Sequence, residues 1–364
     1  MPIEAIEGKR AAEDDLRRFV AGLLSAAGAD APSAAAVARA VIDASARGVD
    51  THGIRLIPWY LEMLEGERIN PRPRLTVSAT ASAVGHVDAD NGFGHLASYR
   101  AIEEGCRIAA GTGIAAVTVA RSSHHGATGV YTLEAARQGF AAIGMTHADR
   151  LVVPDGGREP FFGTNPISFA IPVPGEAPLL LDMATSAIPF NRVILRRDTG
   201  TKLPPDVAVD AGGATTCDPH EAVALLPLGG AAFGYKGAGL AAMIDILCSA
   251  FTGMLHGAAM ESFGGPDYSQ PIPIGHFFIL FRPADFFGAE TCDARLAALL
   301  SDLRGQPSAP GHKVMAPGDL EKAEADRRRR DGIPVDAATW DTLATAAARH
   351  GLPLPPATDT GPHA

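Results

Sequence analysis

Cysteine is scarce in this chain. The four cysteines, Cys106, Cys217, Cys248 and Cys292, lie far apart and form no C-x-x-C pair. That spacing argues against a zinc ribbon and offers no disulfide framework. A basic excess is also missing: 31 Lys and Arg stand against 41 Asp and Glu, for a net charge of -10. A general nucleic-acid surface needs the opposite balance. The one basic run, Arg327 to Arg330, sits among Glu321, Glu324, Asp326 and Asp331. It reads as a solvated helix face. Met1 to Arg18 is polar and acidic and carries no apolar signal core. The longest apolar stretch, Gly237 to Leu255, is interrupted by Asp245 and Ser249. It reads as a buried helix rather than a membrane span. The expectation is a soluble, cytoplasmic protein with neither a nucleic-acid nor a membrane partner.

Several catalytic fingerprints are absent too. No G-x-G-x-x-G follows a strand. Gly111-Thr112-Gly113 begins like one, but Ala116 stands where the third glycine belongs and Gly111 closes a helix. A P-loop, H-E-x-x-H and G-x-S-x-G are missing as well.

What is present divides into three parts. The first, residues 1–75, is helical. Leu16, Phe19, Val20, Leu23 and Leu24 repeat at helical spacing before Gly28. Ser33 opens a second helix to Ala46, ended by Gly48. A loop at Val49 to Gly53 leads into a third helix through Leu61 and Leu64, and Asn70-Pro71-Arg72-Pro73 breaks it. The second part, 76–300, alternates helix and strand: a helix from His95 to Ala110, strands at Ile114–Val119, Ala141–Thr146, Ile167–Ile171, Leu179–Asp182 and Phe277–Phe281, and a helix over Val130–Gln138. That alternation predicts an α/β unit with a covered sheet. The third, 301–364, is helical over Leu320–Arg330 and Ala337–Arg349, and Leu352–Ala364 reads as a frayed end.

Six segments carry candidate chemistry. Asp50-Thr51-His52-Gly53 places an imidazole at a helix start, where backbone N–H groups disfavour its proton. A neutral imidazole near its switching point suits acid/base work, with Thr51 to orient it. Ser122-Ser123-His124-His125-Gly126-Ala127-Thr128-Gly129 follows a strand end, where α/β folds bind ligands. Gly163-Thr164-Asn165-Pro166 precedes a strand. Asp182-Met183-Ala184-Thr185-Ser186 follows one, and Asp182 there can accept from an imidazole N–H and hold its tautomer. Gly234-Tyr235-Lys236-Gly237-Ala238-Gly239 offers glycines, a cation and a helix start to an anion. Ala316-Pro317-Gly318-Asp319 opens a helix and reads as a cap. Taken singly, each is also an ordinary turn or cap.

In their order and spacing, these segments resemble the malate/L-lactate/sulfolactate dehydrogenase family, also called type 2 malate/lactate dehydrogenases, which includes ureidoglycolate dehydrogenase and a cyclic imino-acid reductase. The resemblance runs from about Leu16 to Asp331. It implies a non-Rossmann α/β fold: a mixed seven-stranded sheet with helices on both faces, plus a helical domain from both chain ends. It implies a homodimer, with NAD or NADP as cofactor and a small 2-oxo or 2-hydroxy acid as substrate. His52 matches the family's acid/base histidine, Asp182 its carboxylate partner, Thr51 a position often held by serine, and His124 a second active-site histidine. His124, Asp182, Met183, Ala184, Lys236, Gly237, Gly318, Asp319 and Leu320 match cofactor contacts. Thr164 and Asn165 fall at the substrate. The family's substrate-gripping arginine is displaced: Leu56 holds its place and Arg55 sits one residue early. Asn191-Arg192 replaces a common Gly-Lys, Ala148 a polar residue, and Asp149-Arg150 a commonly apolar or proline-containing pair.

Two other chemistries fit the same residues. Reduction of a cyclic imine would use the same hydride and a C–N–H centre. A metal-dependent hydrolase would recruit His52, His124, His125 and Asp182, but needs three convergent ligands that no short spacing supplies. No metal is expected.

Overall fold

The computed structural model describes residues 6–265 and 267–359. The chain opens with β1 (Gly8–Ala11), α1 (Glu13–Ala26) and α2 (Ala31–Ala46). Two 3-10 turns, Asp50–His52 and Ile54–Leu56, lead into α3 (Ile57–Glu65). The middle runs β2 (Thr76–Ala81), β3 (Val84–Asp88), α4 (Gly94–Thr112), β4 (Ile114–Ser122), α5 (Gly129–Arg137), β5 (Ala141–Thr146), β6 (Ile167–Val173) and β7 (Glu176–Met183). Next come α6 (Phe190–Asp198), β8 (Ala208–Val209), β9 (Ala224–Leu225), α7 (Gly230–Ser249) and β10 (Ile274–Phe281). The chain closes with α8 (Ala284–Phe287), α9 (Ala289–Arg304), α10 (Asp319–Asp331), β11 (Ile333–Asp336), α11 (Ala337–Arg349) and β12 (Ala357–Asp359).

The main sheet has seven strands in the order β2-β3-β4-β10-β5-β6-β7. Only β3 and β4 run parallel; every other neighbouring pair is antiparallel. This is the mixed, non-Rossmann sheet that the resemblance implied. Its central strand, β10, shows how both faces are covered. Side chains alternate across a strand. Phe278 and Leu280 join a cluster with Ile102 of α4 and Tyr131 of α5. Phe277 packs on the other face with Ile244 and Cys248 of α7. Burying each large apolar side chain contributes about 1.5–3 kcal/mol, so the sheet is clamped from both sides.

A second core joins the chain ends. Leu16, Leu23, Val41, Tyr60 and Leu64 from the first helices pack with Ile333, Val335, Trp340 and Leu343. A feature the sequence pattern did not announce completes it. The polar, acidic N-terminal segment contains β1, which pairs antiparallel with both β11 and β12. Ala357–Asp359, expected to fray, is therefore an edge strand.

Other boundaries shift for local reasons. Asp30, not Ser33, caps α2, its side chain accepting from Ser33 N–H at 2.9 Å. Gly113, with φ of 79°, ends α4 two residues beyond Gly111. α7 begins at Gly230 and bends at Phe233, so Gly234–Gly239 opens its second leg instead of preceding the helix. Only one face of α7 is buried, Asp245 included, while Phe233, Tyr235, Met243 and Ile246 are exposed. Among the described residues it is the one helix long and apolar enough to cross a membrane. It packs instead on β10 and β5.

Candidate active site

His52 closes the turn that follows α2. Its N–H donates to Val49 O at 3.0 Å, and its Nδ1 lies 3.0 Å from Thr51 Oγ1. The turn is tight because Gly53 is a glycine: a Cβ there would lie 2.1 Å from Ser45 Oγ. That hydroxyl instead accepts from Ile54 N–H at 2.9 Å.

His124 arrives from the loop after β4 and stacks on His52, ring centroids 6.0 Å apart and planes 23° off parallel. Its Nδ1 lies 2.8 Å from Tyr60 OH and 3.3 Å from Gly126 N. A backbone N–H can only donate, so Nδ1 is the acceptor, Tyr60 donates, and the ring proton sits on Nε2. Burial, reinforced by His52, pushes His124 down to about 3, and burial lowers His52 as well. Both rings are neutral at neutral pH.

Across the space from these rings stands Asp182, at the end of β7 and paired with Ser168 of β6. Its side chain is exposed to the cavity, and the protein walls around it push its carboxyl up to about 7. Oδ2 accepts from Gly129 N–H at 2.8 Å. The expected hydrogen bond from Asp182 to His52 is not what the geometry provides. The carboxylate is held by a backbone amide and the imidazole by Thr51.

These groups line a cavity of about 300 Å3, with Thr164, Met183, Ala184, Asp149 and Phe263 among its walls. The last two were not singled out for the site by sequence reasoning. Asp149 Oδ2 accepts from Ser262 Oγ at 3.1 Å and Phe263 N–H at 3.0 Å. Burial raises its pKa. Arg68 donates to Phe263 O at 3.0 Å. The Phe263 ring is thereby set edge-on to His124, 6.3 Å between centroids. No local pattern marks Phe263, which lies in irregular backbone.

The remaining expected residues lie elsewhere. Arg55 pairs with Asp336 at 3.2 Å and is not part of the cavity wall; its one-residue offset turns it toward the C-terminal part. Asn165 is fully buried, bridging Ala148 N–H to Ala241 O. It pins the fold and does not face substrate. Lys236 is exposed over the Phe233 and Tyr235 rings. Gly237 is buried and donates to Leu228 O. Gly318, Asp319 and Leu320 start α10 beside Leu180 of β7, and Asp319 pairs with Arg304 at 2.7 Å. None of these five lines the cavity. His125 turns away from it, its Nδ1 on Ser98 Oγ and its Nε2 on Thr128 Oγ1. A metal set built on it would have to displace one of these bonds.

A nicotinamide fits this place. Gly126, Ala127, Ala148 and Ala184 put no more than a methyl group each into the cavity wall, which leaves room for a planar ring beside the two imidazoles. A malate dehydrogenase from Entamoeba histolytica has the same fold, with a TM-score of 0.90 at 27% identity, covering 96% of this chain and 100% of that one. The fold and cavity define a nicotinamide-dependent hydroxy-acid dehydrogenase of the non-Rossmann kind, one that uses NAD or NADP.

A family model described as malate/L-lactate dehydrogenase matches residues 11–344, and the chain belongs to that family. It is 32% identical to the ureidoglycolate dehydrogenase (NAD(+)) of Escherichia coli strain K12, over 88% of this chain and 91% of that protein. It is 34% identical to the (2R)-3-sulfolactate dehydrogenase (NADP(+)) of Chromohalobacter salexigens, over 88% and 92%.

Proposed function

We propose that the cavity interconverts a small 2-hydroxy acid and its 2-oxo acid, with His52 as the proton carrier. The observation that carries this reading is the pair of neutral, stacked imidazoles facing Asp182 across one small cavity. A nicotinamide held beside the two imidazoles would supply the hydride acceptor or donor for the 2-carbon. His52 Nδ1 is engaged by Thr51, which leaves Nε2 for the substrate oxygen. In oxidation that nitrogen takes the hydroxyl proton, and in reduction it gives the proton back. The apolar surroundings that keep His52 neutral make it a base rather than a resident cation. Asp182, which faces the same cavity, stabilises the imidazolium formed in the oxidising direction when it is ionised. His124, fixed by Tyr60, walls the site and is the alternative proton carrier. Thr164, on the cavity wall, would donate to the substrate.

We also infer a cytoplasmic homodimer. All four cysteines are free, as a reducing compartment requires. A second copy would cover the exposed apolar face of α7.

The test is a screen of the purified protein. NADH and NADPH are each paired with pyruvate, oxaloacetate, sulfopyruvate, other 2-oxo acids and cyclic imines, and nicotinamide absorbance is followed. Decay dependent on a 2-oxo acid supports the reading. Decay with cyclic imines alone replaces it by imine reduction. The absence of both turnover and calorimetric binding of either nucleotide sinks it.

A further inference from the structure

The basic run Arg327–Arg330 is not a uniformly solvated face. Arg328, in its middle, is completely buried, while Arg329 pairs with Asp326 at the surface. A guanidinium is tolerated in the interior only when its donors are matched. Here Nη1 donates to Asp50 Oδ1 at 2.5 Å and to Ser45 O at 2.7 Å, Nη2 donates to Asp50 Oδ2 at 2.9 Å, and Nε donates to Glu324.

Asp50 is the first residue of the turn that ends in His52, 278 positions before the arginine that grips it. Two parallel bonds to one carboxylate fix its plane as well as its position. Ser45 extends the grip to the far side of the turn. Its carbonyl takes Arg328, and its hydroxyl takes Ile54 N–H. Thr51 and His52 therefore lie on a short backbone arch with both feet anchored in one buried network.

We infer that Arg328 is a positioning residue for the reaction: through its fork on Asp50 it sets the arch that aims the His52 imidazole into the cavity. The inference rests on His52 being the proton carrier. A lysine at 328 would keep the charge, but one ammonium cannot reproduce the planar fork to both Asp50 oxygens and the Ser45 carbonyl. The arch would then be free to rotate.

The experiment uses full-length Arg328→Lys and Asp50→Asn, with His52→Ala in parallel. Thermal melts, nucleotide binding by calorimetry, and the pH dependence of kcat and KM are measured. The expected result is a cooperative melt, nucleotide affinity like the parent's, and kcat reduced by about 10²-fold, as for a reacting group displaced by about 1 Å. KM should move less than kcat, and the pH limb set by His52 should shift. Should Arg328→Lys fail to fold, Asp50→Asn, which keeps the side-chain size, carries the test. A folded variant with the parent's kcat and pH profile overturns the inference, as does a loss of kcat matched by an equal loss of nucleotide binding. An active His52→Ala removes the proton-carrier reading and this inference with it. A dead His52→Ala beside a fully active Arg328→Lys overturns this inference alone.

Discussion

Asp182 and His52 face one cavity, but their two sides are held differently. Asp182 ends a strand hydrogen-bonded along its length to β6; its place is set by backbone pairing that any sequence of suitable pattern would make. His52 ends a three-residue turn held by side chains: Asp50 by Arg328, and Ile54 by the Ser45 hydroxyl. Backbone pairing is redundant, since losing one side chain leaves the ladder intact. A peg network is not, because each donor has one acceptor and an orphaned buried charge costs about 3–5 kcal/mol. The side that must aim a proton is thus the more sensitive to single substitutions.

The sharpest way to break that comparison is His52→Ala. It should lower kcat by about 10²- to 10⁴-fold with nucleotide binding retained in calorimetry. An equal loss in His124→Ala, with His52→Ala active, would transfer the proton to the neighbouring ring. Next in size is acid lability. His124 and His276 are both pushed down to about 3 from an ordinary 6.5. The unfolded chain therefore takes up protons first, and stability that is full above pH 6.5 falls as pH drops toward about 3. Asp182 has the opposite sign: raised from 3.8 to about 7, its contribution is full below pH 3.8 and is lost as pH rises through about 7. Denaturant midpoints stepped through this range should fall on the acid side, and His276→Asn should flatten that fall if the protein tolerates it. The smallest effect is at Gly53. A methyl 2.1 Å from Ser45 Oγ should cost about 1–3 kcal/mol by denaturant unfolding, because the hydroxyl must leave Ile54 N–H.

Much of the sheet was legible. β5 coincides with the predicted Ala141–Thr146, and β4, β6, β7 and β10 each contain the predicted run, because strands buried on both faces are continuous in apolar residues. β2 and β3 escaped notice: Thr76–Ala81 is small, polar and mostly exposed at the sheet edge, and Val84–Asp88 is short and interrupted by Gly85 and His86. In the cavity, His52, Thr51, His124, Asp182 and Thr164 were named from loops beside strand and helix ends, where position follows from local sequence. Arg328 could not be read that way. Three arginines beside it are solvated, and only its contacts with Asp50 and Ser45 separate it from them. Asp149 appeared only as a departure from a familiar pattern; its partners lie in irregular backbone more than a hundred residues away. For the same reason we propose drawing the C-terminal part from residue 305, since α9 runs through residue 300 and packs Leu300 against Val173 and Leu179.

The small sheet has a mechanical consequence. β1 lies between β11 and β12, with Lys9 opposite Asp359 and Ala11 opposite Ala357. A force drawn between residues 9 and 359 would load that seam one hydrogen bond at a time, like a zipper, instead of shearing all of them together. In an optical-tweezer pull across those residues, β12 should peel at low force as a separate first step, before the seven-stranded sheet yields. A single high-force rupture would mean that the two ends share the load of the whole core.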